Sequence, residues 1–199
     1  MGKQDDFEDV SQDAVLLQRV VNGDIEALEH LFTIYRQRVY GFAVHITRDT
    51  ETAEEVLQDV FYRLWSNASR IDTSLPLLPW LYRVTANASY NRVRRQSFWT
   101  VPFHIIAEYM RMPLRRSPEY VAEQRELQTI VRETLDALSP SHRSVLSLYY
   151  FQEYSIAEIA TILEQPEGTV KSRLYYARKL LKEHIIRRYG TIGMVLDQL

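Results

Sequence analysis

Between positions 83 and 94, five polar residues recur at steps of one, three or four: Arg83, Asn87, Tyr90, Asn91 and Arg94. On a helix that spacing gathers them on the side away from Trp80, Leu81, Val84 and Ala88. Arginine meets phosphate, asparagine hydrogen-bonds base edges, and tyrosine stacks on an unpaired base. The mixture suits single-stranded nucleic acid, although a merely solvated polar face has the same pattern. A second stripe lies near the C-terminus. With Val170, Leu174, Ala177 and Leu181 turned inward, the opposite side carries Ser172, Tyr175 or Tyr176, and Lys179, which can reach base edges. Lys171, Arg173 and Arg178 flank them and suit phosphates, which position a protein without reading sequence. This helix, from about Pro166 to Glu183, follows closely on a short one from Ser155 to Leu163. That is the helix-turn-helix arrangement, whose second helix enters the major groove. An ordinary helical hairpin with a solvated basic face has the same spacing.

The charge distribution follows these stripes. The 199 residues carry a net charge of −2, which alone predicts no nucleic-acid partner. Residues 70–95, however, hold five basic residues against one acidic, and residues 164–189 hold seven against three, so each segment is net +4. Acidic segments alternate with them. Enzyme chemistry finds little support. The five histidines, at 30, 45, 104, 142 and 184, have no ligand spacing, and no nucleophile motif occurs. No cofactor or metal is expected. Zero cysteines exclude disulfides and thiolate zinc sites and fit a reducing cytoplasm. Six glycines with no Gly-rich loop leave no phosphate cradle. No apolar run of about 18 residues predicts a membrane span, and the acidic start, Met1 to Val10, predicts no secretory signal.

The elements that must position the stripes are all helical by period. Ala14, Leu17, Val20 and Val21 form a short amphipathic set stopped by Asn22-Gly23. Asp24 is the expected N-cap of a helix with Ile25, Leu28, Phe32, Tyr35, Val39, Phe42 and Ile46 inward. After a break at Thr47 to Asp49, a third helix is drawn by Val56, Leu57, Val60, Phe61, Leu64 and Trp65. Ser69 to Pro79 reads as a loop, with Pro79 in the first turn of the fourth helix. Gln96 to Glu123 reads as a linker, unusually apolar in Phe98, Trp99, Val101, Phe103, Ile105 and Ile106, and expected to pack in part. A second helical set begins with Leu127, Val131, Thr134, Leu135 and Leu138. Ser139-Pro140 is a cap with a first-turn proline, leading to Val145, Leu148 and Tyr149, and Ser155-Ile-Ala-Glu158 matches the capping box. No strand alternation occurs. The expected fold class is all-α: two small helical domains joined by a linker, the second with a helix-turn-helix. The expected limits are 1–95, a linker 96–123, 124–189 and a tail 190–199.

Five segments, in this order, carry a family resemblance: Thr52-Ala-Glu-Glu-Val-Leu-Gln58-Asp59-Val-Phe-Tyr-Arg-Leu-Trp65, Trp80-Leu-Tyr-Arg-Val-Thr-Ala-Asn87, Leu138-Ser-Pro, Ser155-Ile-Ala-Glu-Ile-Ala160, and Gly168-Thr-Val-Lys-Ser-Arg-Leu174-Tyr-Tyr-Ala-Arg178. The set resembles the extracytoplasmic-function (ECF) group of sigma factors of bacterial RNA polymerase. The resemblance implies a first domain that binds core RNA polymerase and opens the promoter. The helix matching Glu51 to Trp65 would dock on a coiled coil of the largest catalytic subunit, with Glu55, Gln58, Asp59 and Arg63 as its contacts. The loop from Arg70 to Leu75, including Asp72, and the following helix would capture the minus-ten element as single strand, through Arg83, Asn87, Tyr90, Asn91 and Arg94. Flipping a base there costs a few kcal/mol of unstacking. The second domain would read the minus-thirty-five element as duplex, through Thr169, Lys171, Ser172, Arg173, Tyr175, Tyr176, Arg178 and Lys179. The resemblance also implies an inhibitory anti-sigma factor as partner. Two departures stand out. Tyr176 occupies a position that is often basic in the family, and residues 96–125, the segment that contains the linker, are net +1 where the family's linker tends to be acidic. A helix-turn-helix regulator that is not a polymerase subunit would explain residues 126–189, but not the segment from Glu51 to Arg95.

Overall fold

In the computed structural model, backbone is described for residues 5–96 and 132–189, and side chains for 12–95 and 132–187. The expected linker beyond Gln96, its apolar residues Phe98 to Ile106, the positions Leu127 and Val131, and the tail lie outside the described residues. Every regular element among those described is helical, in two compact units, an N-terminal and a C-terminal one.

In the first unit, α1 (Asp5–Val21) turns into α2 (Ile25–Thr47) through Gly23, whose φ of 84° favours a residue without a Cβ. Asp24 caps α2 as expected: its Oδ1 accepts from Ala27 N at 3.2 Å, while its Oδ2 accepts from Arg19 Nε at 2.9 Å. Those bonds hold the Asp24 carboxyl below the usual carboxylate range, the Arg19 bond first. The next turn works without glycine. Arg48 takes the left-handed conformation (φ 63°) and donates its N–H to Val44 O at 2.9 Å, closing α2. Asp49 then caps α3 (Thr50–Asn67), its Oδ1 accepting from Thr52 N at 2.7 Å. A single 3-10 turn, Ala68–Arg70, leads to α4 (Leu77–Gln96), so the helix begins two residues earlier than the sequence suggested, with Pro79 inside its first turn.

The core of this unit is a seam of Leu31, Val39, Val56, Val60, Leu64, Leu77 and Leu81, all 1% exposed or less. Phe42 and Tyr82 meet edge to face with centroids 4.9 Å apart, as do Phe32 and Phe61. The inward faces are rotated slightly from expectation. Ile25 is 68% exposed, with Ala27 and Leu31 buried in its stead, and Trp65 is 54% exposed. Val21 is also on the surface, while Trp80 and Val84 only pack against the core's edge.

In the second unit, helical residues 132–137 precede α5 (Pro140–Tyr150), α6 (Ile156–Ile162) and α7 (Glu167–Tyr189). Leu138, Val145, Leu148, Ile159, Val170, Leu174 and Ala177 are buried, following the expected period, with Leu181 half-buried. Thr134 Oγ lies 3.0 Å from His184 Nδ1, tying the helical stretch before α5 to α7. Among the described residues no helix is long and apolar enough to cross a membrane.

His45, near the C-terminal end of α2, has a measurable signature. Burial, and then the charge of Arg48, hold its imidazole down to about 4, against 6.5 in the unfolded chain. Below pH 6.5 the unfolded state therefore binds the extra proton, and stability falls with pH by about 1.4 kcal/mol per unit until about pH 4. Denaturant titrations of the wild type and His45→Gln between pH 7 and 5 are expected to show the variant's slope flatter by about that amount. Identical slopes would mean that His45 is not kept neutral by the fold.

Candidate nucleic-acid and polymerase interface

Helix α4 places its polar stripe as its period requires. Asn87, Asn91 and Arg94 are exposed, and Arg83 and Tyr90 are half-buried at its margins. Thr85 and Ser89, on the opposite side, are fully buried. In the loop that leads to α4, Asp72 Oδ1 accepts from Ser74 N at 2.9 Å and Ser74 Oγ at 2.6 Å. These bonds hold the Asp72 carboxyl below its ordinary value, the hydroxyl bond first. Asp72 thus shapes the loop beside exposed Arg70, Ser74 and Leu75.

The outward face of α3 carries Gln58, Tyr62, Arg63 and Trp65, all exposed. Asp59 pairs with Arg63 one turn on, Oδ1 to Nε at 3.3 Å. Glu55 accepts from Arg92 Nη1 of α4. Sequence spacing could not show that second pair, because the partners stand 37 residues apart. It joins the helix of the expected polymerase contacts to the helix of the expected minus-ten contacts. Tyr62 and Trp65 form an exposed ring pair with centroids 6.2 Å apart, and the expected contact set omitted both.

In the second unit the capping box opens α6 as expected. Glu158 Oε2 accepts from Ser155 N at 2.8 Å, and Ser155 Oγ accepts from Glu158 N at 3.3 Å. Residues 163–166 make the turn, with Glu164 in the left-handed region (φ 51°). Pro166 O accepts from Thr169 N at 2.9 Å and Val170 N at 3.2 Å, starting α7. Tyr175 and Tyr176, 71% and 50% exposed, stand on its outer face with Lys171, Ser172 and Lys179. Thr169 is half-buried and accepts from Ser172 Oγ through its carbonyl at 2.9 Å.

Each basic residue of α7 in the expected set already has a partner. Lys171 pairs with Glu167 at 3.1 Å and Lys179 with Glu183 at 3.9 Å, while Arg173 donates to Gln165 Oε1. Arg178 Nε donates to Tyr150 Oη at 2.7 Å, and its guanidinium carbon lies 5.5 and 5.7 Å from the Tyr149 and Tyr150 ring centroids. The Tyr150 bond is the largest cause of its raised basicity. The Tyr149–Tyr150 clamp is a feature the sequence reading missed, since it had placed Tyr149 only in the core. Among the described residues no group of three or more His, Cys, Asp or Glu could hold a metal ion.

These are two all-helical units, one with a polar stripe above an acidic and aromatic neighbouring helix, the other with a helix-turn-helix. The comparisons with known proteins agree with that class. Residues 31–98 match the Sigma-70 region 2 model and residues 128–181 the Sigma-70, region 4 model. The ECF RNA polymerase sigma factor SigL of Mycobacterium tuberculosis is 32% identical over 155 residues, 77% of this chain and 83% of SigL. SigW of Bacillus subtilis is 26% identical over 182 residues, 85% of this chain and 94% of SigW. In fold, the chain is similar to CnrH, solved in complex with the cytosolic domain of CnrY, with a TM-score of 0.60 at 20% identity over 87% of this chain and 97% of CnrH. It is equally similar to the sigma factor RpoE of Bartonella quintana, solved with the anti-sigma factor NepR: TM-score 0.60 at 21% identity, over 79% of this chain and 95% of RpoE. The chain belongs to the ECF family of RNA polymerase sigma factors.

Two local substitutions test the geometry of the helix-turn-helix. Ser155→Ala removes the capping hydroxyl and is expected to destabilise the second unit by about 1 kcal/mol. Glu153, in the turn before α6, has φ 56°, a conformation that costs a residue with a Cβ. Glu153→Gly is expected to raise stability by about 0.5–1 kcal/mol. Thermal melts of the two variants moving in the same direction would contradict these assignments.

Proposed function

We propose that the protein acts as a subunit of RNA polymerase that makes initiation promoter-specific, with three faces dividing the work. The exposed side of α3, centred on Gln58 with Glu55, Asp59 and Arg63, docks on the core enzyme. The loop with Arg70 and Asp72, and the α4 residues Arg83, Asn87, Tyr90, Asn91 and Arg94, hold the melted minus-ten strand. The α7 residues Thr169, Lys171, Ser172, Arg173, Tyr175, Tyr176, Arg178 and Lys179 read the minus-thirty-five duplex. The domain limits 1–95 and 124–189, with 96–123 as linker, follow from this division.

One observation carries the reading: two outward polar faces of different composition, on separate helical units, in a chain of this family. Asparagine and tyrosine with arginine on α4 fit unstacked bases. Lysine, arginine and paired tyrosines on the second helix of a helix-turn-helix fit a duplex groove. A regulator working without polymerase has no use for the face on α3, and residues 31–98 match a sigma region. The protein works as a transcription factor rather than an enzyme, in the cytoplasm where its polymerase is, and an anti-sigma factor keeps it inactive by covering the Gln58 face.

Run-off transcription with core polymerase over a library of random promoters tests the reading. Specific start sites that appear only when the protein is added are expected. Their absence, with the protein bound to core, would refute it. The net charge of −2 predicts weak promoter binding by the free protein. In the holoenzyme, Lys171→Ala is expected to weaken binding on every sequence and to lower the salt slope by about 0.9. Tyr175→Ala is expected to cost about 1–3 kcal/mol on the cognate site only. Titrations at several salt concentrations on cognate and scrambled duplexes separate the two, and identical behaviour would overturn the assignment of the α7 face.

A further inference from the structure

The N-terminus of α5 contains a contact that neither the capping pattern nor the helix-turn-helix accounts for. Ser139 stands at the N-cap of α5, yet its hydroxyl makes no side-chain capping bond. It lies 2.6 Å from His142 Nδ1 and 3.0 Å from Ser141 Oγ. A serine at this position ordinarily accepts from a first-turn N–H, so here its hydroxyl is diverted to the histidine. Burial, and then the charge of Arg173, hold His142 below the ordinary histidine value. That favours the neutral imidazole, whose Nδ1 can accept a hydrogen bond from the Ser139 hydroxyl. The ring so fixed meets the ring of Tyr176, with centroids 5.0 Å apart and planes tilted by 52°. That is a favourable distance for an aromatic pair.

Tyr176 is 50% exposed, so one side rests on His142 while the rest faces outward beside Tyr175, which is 71% exposed. Two adjacent tyrosines on the same helix are therefore held differently. A side chain already fixed before binding gives up less rotamer freedom when it meets its target.

We propose that His142, oriented by Ser139, is a positioning residue for Tyr176, so that base preference at the step Tyr176 meets is set partly from outside the helix-turn-helix. This rests on α7 being the duplex-reading helix. His142 contacts no DNA itself; it fixes where the tyrosine ring and hydroxyl are presented. The histidine side therefore controls which base the ring accepts, and Tyr175 does not share that dependence.

The test uses the full chain assembled with core polymerase and a promoter library randomised across the upstream element, scored by sequencing the bound fraction. Six variants are compared: Tyr176→Ala, His142→Ala, His142→Phe, Tyr175→Ala, Lys171→Ala and the double variant His142→Ala with Tyr176→Ala. Thermal melts first establish that each is folded. Tyr176→Ala is expected to relax preference at one or two base pairs, with an affinity loss of about fivefold or more on the preferred sequence. His142→Ala is expected to relax the same base pairs, with a smaller loss. The double variant His142→Ala with Tyr176→Ala is expected to match Tyr176→Ala alone, because the histidine acts through the tyrosine. His142→Phe keeps a ring under Tyr176 and is expected to restore most of the preference. Tyr175→Ala is expected to affect different base pairs.

If Tyr176→Ala changes preference and His142→Ala does not, the positioning role is overturned. The same holds if His142→Ala weakens all sequences equally, or if its loss adds in full to that of Tyr176→Ala. If none of Tyr175→Ala, Tyr176→Ala and Lys171→Ala alters upstream binding, the duplex-reading assignment of α7 fails first, and the proposal falls with it.

Discussion

Asp13 is the residue on which the first unit turns. It is 4% exposed, and a carboxyl taken out of water is costly unless its oxygens are hydrogen-bonded. Tyr35 Oη on α2 donates to both of its oxygens, at 2.8 and 2.7 Å. Leu77 N, in the first turn of α4, donates to Oδ2 at 3.4 Å across 64 residues of sequence. First-turn N–H groups have no partner inside their own helix, so α4 takes part of its cap from α1. Three helices meet at one side chain, and the direction in which α4 leaves that point fixes the rest. It sets which side of α4 is buried, where Arg92 meets Glu55, and where Asn87 and Asn91 face outward.

The second unit works under a different constraint. Helix α7 carries many cations at close spacing, and Lys171, Arg173, Arg178 and Lys179 are each already held. Glu167 and Glu183 hold lysines one turn away, Gln165 holds Arg173, and Tyr150 holds Arg178 through Nε. The lysine pairs are exposed and worth little in water, so phosphate can displace them at small cost. The Arg178 arrangement differs, because Tyr150 holds its Nε and the rings of Tyr149 and Tyr150 lie against its guanidinium. On the proposed reading, contacts of this kind would be partly prepared before DNA arrives, which suits a protein whose net charge of −2 gives it little general attraction to nucleic acid.

Local chemistry was legible in the sequence. The Asp24 cap, the Ser155–Glu158 box and the inward faces of α5 and α7 all follow from residue types within four positions of each other. Both outward stripes followed from period alone. Three kinds of feature were not legible. The first is the phase of a broad apolar face. Ile25 and Trp65 lie at the margins of their faces, where the period alone does not decide burial, and both are exposed. The second is a left-handed residue without glycine: Arg48 closes α2 and Glu153 sits in the turn before α6, neither with a sequence sign. The third is polar pairing across the fold. Asp13 to Leu77, Glu55 to Arg92 and His142 to Tyr176 join residues that no spacing rule connects.

Two faces for two forms of DNA is the central claim, and site-specific photocrosslinking tests it most directly. A photoreactive amino acid placed at position 87 or at position 175 would be followed in holoenzyme–promoter complexes held closed at low temperature and then allowed to open. Position 175 is expected to crosslink upstream duplex in both states, and position 87 to crosslink a melted strand only in the open one. Equal crosslinking of position 87 to duplex in the closed state, or none from position 175 in either, would contradict the division of labour.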